Sequence, residues 1–387
     1  MRVLITGANG FVGRNLQLFL AERKDIEVVC FTRDHAPAQL PALLRGVDFV
    51  FHLAGVNRPQ DPLEFVAGNS DLTTALVTAV EAEMRASGKK VPIVYTSSIQ
   101  AACDNPYGTS KRVAETALQA FALRTGASAL VFRLPNVFGK WCKPNYNSVV
   151  ATFCHNIARD LPIQINNPAA PLTLLYVDDV IGRFYQLLEG ADPAVDAEGF
   201  ATVAPQFTTT VGELARLIQS FRDSRNTLMT ERVGTGLVRA LYATYVSYLP
   251  VASFTYRVPQ HGDPRGVFVE MLKTPDCGQF SFFTAHPGIT RGGHYHHSKT
   301  EKFLVIKGVA RYRFRHLLTD ELFEVDSRGD EPLVVETIPG WAHDITNIGD
   351  DELVVMLWAN EIFDRQNPDT IASPVAPASP HDPPAPT

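Results

Sequence analysis

Apolar positions in the first half of the chain alternate between two periods. The runs RVLIT, IEVVCFTR, VDFVFHLAG, VPIVYTSS and SALVFRLPNVFG are dense in β-branched and aromatic residues and read as strands. Between them, GFVGRNLQLFLAER, DLTTALVTAVEAEMRASG and SKRVAETALQAFALRTG carry apolar residues at helical spacing. Strands alternating with helices predict right-handed βαβ units and a doubly wound parallel sheet, an α/β domain over residues 1–250. After about Thr255 the period changes. GQFSFFTAH, EKFLVIKGVARYRFRH, LFEVDS, PLVVETIP and ELVVMLWA are short, closely spaced strands, which predict an all-β antiparallel sandwich or barrel over residues 256–366.

The joint between the two textures falls in YLPVASFTYRVPQHGDPRG. Just before it, LVRALYATYVSYLPVASF is apolar, but Arg239 interrupts it and Pro250 breaks it, so a buried or interdomain helix is expected and not a membrane span. Residues 367–387, ending SPVAPASPHDPPAPT, are rich in Pro and Ala with little to bury, and a disordered tail is expected there.

Composition narrows the class. The chain has 387 residues, enough for two domains, with 45% hydrophobic and 20% charged residues. A net charge of -6 argues against general nucleic-acid or anionic-membrane binding. Cys30, Cys103, Cys142, Cys154 and Cys277 are scattered and form no C-x-x-C pair. They are expected to be reduced thiols of a cytoplasmic protein. MRVLITGANGFVG has no apolar run long enough for a secretory signal.

TGANGFVG sets Gly7, Gly10 and Gly13 between a strand and a helix, the context in which a backbone turn receives a pyrophosphate at a helix N-terminus. Phe11 and Val12 complete the expected cofactor-binding turn. The second strand ends CFTRD, with Thr32 where NAD-preferring proteins carry an acid, followed by Arg33. A cation there suits the 2′-phosphate of NADPH, whereas a shift of register would make Asp34 the acid. In YGTSK, Tyr107 and Lys111 lie one helical turn apart. The ammonium is expected to favour the phenolate and lower the tyrosine pKa. YTSS ends a strand just upstream, so Ser98, or Ser97, is in place to bind the same substrate oxygen.

Residues 1 to about 245 resemble the extended short-chain dehydrogenase/reductases, the family of nucleotide-sugar epimerases, dehydratases and reductases. The matching pieces are TGANGFVG, HLAG, GNSDLTT, YTSS, YGTSK, RLPNVFG and YVDDV, in that order. The resemblance implies a Rossmann fold with Ser98, Tyr107 and Lys111 as the catalytic set. It further implies cofactor contacts from Leu53, Ala54, Gly55, Asn69, Tyr107 and Lys111, and substrate contacts from Arg133 and Asn136. One departure is a short spacing: eight residues separate Ser98 from Tyr107, where many relatives carry a longer insert.

The C-terminal half carries different chemistry. In GITRGGHYHHSKTEKFLVIKG, His294 and His296 are two apart on an expected strand and share a face, and Glu301 follows by five. IPGWAHDITN adds His343. Three histidines and a carboxylate suit zinc, iron, manganese or nickel, and zinc is the expected ion. His297 points to the opposite face. The spacings from Gly288 to Gly308 and from Pro339 to Asn347 resemble the cupin family, metal-binding jelly-rolls, over residues 260–362. DPRGVFVE and TRGGHYHH also resemble the cupin deoxysugar epimerases of the rhamnose pathway. Those enzymes move a proton beside a keto group. Arg265, Arg291 and Lys302 are expected substrate contacts, and Lys302, Tyr295, Tyr312, Asp344 and Glu361 remain open as acid or base.

A keto-sugar joins both halves, because its carbonyl accepts hydride and acidifies the neighbouring C–H. The pairing resembles the bifunctional epimerase/reductases of bacterial capsular polysaccharide and O-antigen synthesis. That resemblance implies a UDP-4-keto-6-deoxy-N-acetylhexosamine substrate, C3 epimerisation in the cupin domain and NADPH reduction at C4. The product would be a UDP-N-acetyl-L-talosamine on the way to UDP-N-acetyl-L-fucosamine, made by a homodimer. Two other readings are a metal-dependent oxygenase-type cupin fused to a ketoreductase, and a non-catalytic sugar-nucleotide or redox sensor.

Overall fold

The computed structural model describes residues 1–259, 261–263, 266–268, 271–272, 274, 278–361 and 366–375. These fall into two compact units. The first comprises Met1–Phe138, Asn145–Ser148 and Pro171–Thr209, and the second Gly139–Pro144, Val149–Ala170 and residues from Thr210 onward.

The first unit is built on a five-stranded parallel sheet whose spatial order is Glu27–Phe31, Arg2–Thr6, Phe49–His52, Ile93–Ser98, Ala129–Leu134. Its central strands are mainly apolar because helices cover both faces; Val3, Leu4, Ile5, Val50 and Phe51 are buried. Local signals set the helices. Pro106–Thr125 begins at Asn105, whose side chain accepts the Gly108 N–H at 2.8 Å, and ends at Gly126 with φ 64°. Tyr107 therefore lies in the first turn and Lys111 one turn on. Leu72–Ser87 likewise stops at Gly88, φ 71°. Immediately ahead of it, Val66–Asp71 forms a π-helical turn, which sequence periodicity does not register.

The second unit contains two five-stranded sheets. One runs Gln279–Ala285, Leu353–Ala359, Glu301–Lys307, Leu333–Glu336, Thr255–Arg257, and the other Leu322–Arg328, Val309–His316, Trp341–Asn347, Thr290–Tyr295, Ile371–Ala372. The pairings within them are antiparallel. Along Val309–His316 burial alternates, with Ala310, Tyr312 and Phe314 turned inward. The rings of Phe303 and Tyr312, one from each sheet, stand 5.8 Å apart across the interior.

Two expectations change here. The second unit is larger than residues 256–366, because the helices Val149–Ile157, Val211–Thr227 and Gly236–Val246 pack on one another and group with its strands. The last of these is the expected buried helix: Ala240 to Val246 are all buried, and Tyr242 meets Phe221 at 5.2 Å. The second correction concerns the tail. Its first part is ordered, since Ile371 and Ala372 pair with Tyr295 and His294 and Val375 is buried. Backbone pairing and one apolar anchor hold a segment whose composition alone has little to bury. Residues 376–387 lie outside the described residues.

Candidate active site and metal centre

The glycine turn of the first unit is a tight backbone cradle. Gly7 has φ +68°, and a Cβ on it would lie 2.6 Å from the Ala54 nitrogen. A Cβ on Gly13 would lie 2.3 Å from the Gly7 carbonyl oxygen. Side chains are thereby excluded where the helix Phe11–Ala21 starts, leaving a backbone surface that fits a pyrophosphate. Gly55 closes the other side, where a Cβ would meet Lys111 Nζ at 2.9 Å and Asn69 Oδ1 at 3.0 Å. Asn69 sits in the π turn, is buried, and is fixed by Val56 N–H at 2.9 Å while donating to Ser110 Oγ at 2.9 Å. Thr32 follows the second strand, with its hydroxyl donating to Asp34 at 3.1 Å, and Arg33 is exposed.

Ser98 and Tyr107 meet despite their short separation, because a 3-10 turn, Ile99–Ala102, returns the chain directly into the helix. The two serines of YTSS divide by strand alternation. Ser97 is buried and donates to Glu115 at 2.5 Å, whereas Ser98 hydrogen-bonds Tyr107. Burial pushes the Tyr107 phenol above its ordinary value, and the Ser98 hydrogen bond opposes this. The expected lowering by Lys111 is corrected: the ammonium donates to the Thr96 carbonyl at 3.0 Å and lies 4.9 Å over the Tyr95 ring. Burial brings Lys111 itself down to about 8, with Glu115 opposing. The histidine of HLAG, His52, is fully buried between Thr6 (2.7 Å) and Thr73 (2.8 Å). Burial, then Lys111, lowers it to about 3, so it is a neutral packing group.

Of the expected substrate contacts in this unit, Arg133 is held by Glu115 (2.7 Å) and stacks on Phe200 at 3.7 Å. Asn136 is exposed and donates to the Thr173 carbonyl at 3.2 Å.

In the second unit the four expected ligands converge. Ligand atoms of His294, His296, Glu301 and His343 all lie within 4.8 Å of one another. A bulge between Gly292 and His294 shifts the strand register there, and the His294 and His296 rings stand 5.0 Å apart. His296 Nε2 is 3.2 Å from Glu301, and His343 Nε2 is 3.7 Å from it. Burial, then His343 and His296, lowers His294 to about 3. Burial would raise Glu301, but His296 and His343 hold it well below the usual carboxylate range. Both ring nitrogens of His343 are buried with no hydrogen-bond partner. Two such orphans cost stability unless something binds them, and three imidazoles around a carboxylate fit a divalent metal.

The cluster opens into a cavity of about 310 Å³ between the sheets, walled by Phe283, Arg291, Phe303, Tyr312, Phe314 and Leu357. Arg291 is held over Phe283 and donates to the Thr284 carbonyl at 2.8 Å. Tyr312 brings a buried hydroxyl with no partner to the wall. Asp344 also lines the cavity but is clamped by Arg313 (2.9 and 2.7 Å), and Glu361 pairs with Arg239 at 3.1 Å. Lys302 is corrected. It is buried on the other face of its strand, paired with Glu336, which also binds Arg225. Arg265 lies outside the described residues. Sequence reasoning missed Lys299, 3.0 Å from Glu301, and Asp369, which binds the loop between the ligands. Nothing in the sequence spacing marks Asp369, because it arrives from the far end of the chain.

The chain belongs to the NAD dependent epimerase/dehydratase family, whose profile matches residues 3–199, so a nicotinamide cofactor is its family's redox partner. Residues 261–371 match the polysaccharide biosynthesis C-terminal domain. UDP-2-acetamido-2,6-beta-L-arabino-hexul-4-ose reductase of Pseudomonas aeruginosa is 61% identical over 376 residues, covering 97% of this chain and 99% of the relative. The crystal structure of the capsular polysaccharide assembling protein CapF from Staphylococcus aureus is 42% identical with a TM-score of 0.67, covering 97% of this chain and all of that one. CapF bound to the inhibitor 3-isopropenyl-tropolone is also similar, at 39% identity and a TM-score of 0.62. These matches place the chain among the nucleotide-sugar reductases and epimerases of polysaccharide biosynthesis. Among the described residues no helix is long and apolar enough to cross a membrane.

Proposed function

We propose that this chain is a bifunctional enzyme acting on a UDP-4-keto-6-deoxy-N-acetylhexosamine. A C-terminal cupin-type domain epimerises C3, and the N-terminal domain reduces the C4 ketone to a UDP-N-acetyl-L-talosamine on the way to UDP-N-acetyl-L-fucosamine. The observation that carries it is one chain holding Ser98, Tyr107 and Lys111 beside a glycine cradle and a separate cavity walled by the His294–His296–Glu301–His343 cluster. The name of the Pseudomonas relative, a reductase of a 2-acetamido-2,6-hexul-4-ose, supports the substrate class.

In the reductase site, Tyr107 donates its proton to the C4 oxygen, and burial keeps the phenol protonated for that task. Ser98 orients the same oxygen, and Lys111, fixed on the Thr96 carbonyl, holds positive charge beneath it. Gly7, Gly10, Gly13 and Asn69 hold the dinucleotide, and Arg33 favours the 2′-phosphate of NADPH. The nicotinamide supplies the hydride to C4 when bound.

In the cavity, His294, His296, Glu301 and His343 would hold zinc, which would supply a Lewis-acidic contact for a sugar oxygen. Tyr312 is the best-placed proton carrier for C3, being the candidate that reaches the wall with an unengaged hydroxyl. Asp344 and Glu361 are tied up in ion pairs, and Lys302 faces away. The test is incubation of the UDP-keto-sugar in heavy water. Deuterium at C3 without NADPH, followed by NADPH oxidation on its addition, is expected. Oxidation with no deuterium at C3 would remove the epimerase half, and absence of both would remove the substrate class.

A further inference from the structure

The residues after Asn367 do more than end the chain. Asp369 turns its carboxylate onto the loop joining two of the clustered side chains. Its oxygens accept the backbone N–H groups of His297 (2.8 Å), Ser298 (2.7 Å) and Lys299 (2.7 Å), and the Ser298 hydroxyl at 3.1 Å. Its own backbone carbonyl oxygen is hydrogen-bonded to His296 Nδ1. The next residues continue over the same place. Thr370 lines the cavity, Ile371 and Ala372 pair with Tyr295 and His294, and Ser373 N–H donates to the Gly293 carbonyl at 2.7 Å. Val375 anchors the far end, 3% exposed.

The two contacts of Asp369 have one consequence. Holding the N–H groups of residues 297–299 fixes the loop that sets His296 against Glu301. Donation from His296 Nδ1 to that carbonyl fixes the orientation of the ring, with Nε2 turned to Glu301 at 3.2 Å. We propose that Asp369, carried on the strap 369–375, is a positioning residue of the metal centre, whose ligands come from elsewhere in the chain. This rests on the reading of the cluster as a metal centre.

The experiment measures zinc affinity of the full-length chain by competition with a chromophoric chelator, together with the visible absorption of the cobalt(II)-loaded protein. Wild type should bind one zinc. Asp369→Ala should weaken zinc by about 10- to 100-fold and shift the cobalt bands, since partners of metal-bound histidines act at that scale. Asp369→Asn keeps one acceptor oxygen and should fall between the two; it is the measurement that decides if the alanine variant fails to fold. Val375→Ala loosens the strap and leaves the aspartate, so it should bind zinc within about threefold of wild type, below that scale. Loss in Val375→Ala equal to that in Asp369→Ala would reduce Asp369 to a general structural role and overturn the proposal. So would Asp369 variants with wild-type zinc affinity and cobalt spectrum. A wild-type chain that binds no zinc would instead overturn the metal centre itself, and this inference with it.

Discussion

Glu301 and Lys302 are adjacent on one strand and their side chains part company. Glu301 meets His296 at 3.2 Å inside the cavity, while Lys302 is buried on the opposite face against Glu336. Strand alternation makes the separation, and the helices packed on that outer face make it a burial rather than an exposure. Arg225, from one of those helices, shares Glu336, and Tyr242 reaches it at 3.4 Å. Removing the carboxylate would leave the buried Lys302 and the partly buried Arg225 without that counter-charge. Glu336→Gln should therefore lower stability by about 3 kcal/mol, read by urea unfolding. The zinc affinity of the folded variant should stay at the wild-type value.

Tyr107→Phe removes the proton donor and keeps the ring. NADPH oxidation with the UDP-keto-sugar should drop by about 10²- to 10⁴-fold, the usual contribution of a positioned acid. Cofactor affinity, read by NADPH fluorescence, should hold, because the glycine turn and Asn69 are untouched. Unchanged turnover would remove Tyr107 from the mechanism.

Lys111 gives a pH signature. Its folded-state pKa is about 8, lowered by burial from an ordinary 10.5. Below the folded value both states carry the proton, and burying the charge costs stability. Between about 8 and 10.5 the unfolded chain binds more protons than the folded one, so the cost fades and stability rises with pH. Lys111→Met never carries that cost. Its stability relative to wild type should decline by about 2 kcal/mol from pH 7 to 9.5, measured by denaturant unfolding at both. A pH-independent difference would mean that the ammonium is not desolvated as its burial implies.

Tyr312→Phe separates the two chemistries. Solvent deuterium entry at C3 should fall by about 10²-fold or more. Reduction of a substrate supplied with C3 already inverted should proceed at the wild-type rate. Exchange at the normal rate would send the search for the proton carrier to Lys299, another ionisable side chain at that wall.

Arg33 is the predicted determinant of cofactor choice. Arg33→Ala should raise the KM for NADPH by about tenfold, the scale of one charge-assisted contact, and leave that for NADH near its starting value. Equal effects on both would give the 2′ position to Asp34.

Local patterning along the chain is enough to read the parallel α/β half, the β-rich half, the glycine turn and the residue types at both candidate sites. Each is a local signal: a period of apolar residues, a glycine where only backbone fits, or histidines at strand spacing. It also located the buried helix Gly236–Val246 from its apolar run and its proline stop. Tertiary structure decided what lies between such signals. Lys302 looked like a cavity residue by sequence proximity to Glu301, and the pleat plus a covering helix layer turned it into half of a buried ion pair. Lys111 looked like a partner that lowers Tyr107, yet its hydrogen bond goes to Thr96 and burial governs both groups. Asp369 stands in a stretch whose composition predicts disorder, and three backbone N–H groups hold it in place. Periodicity and composition report what a segment can bury. They do not report which distant backbone presents donors to it, and that is settled only when the sheets close.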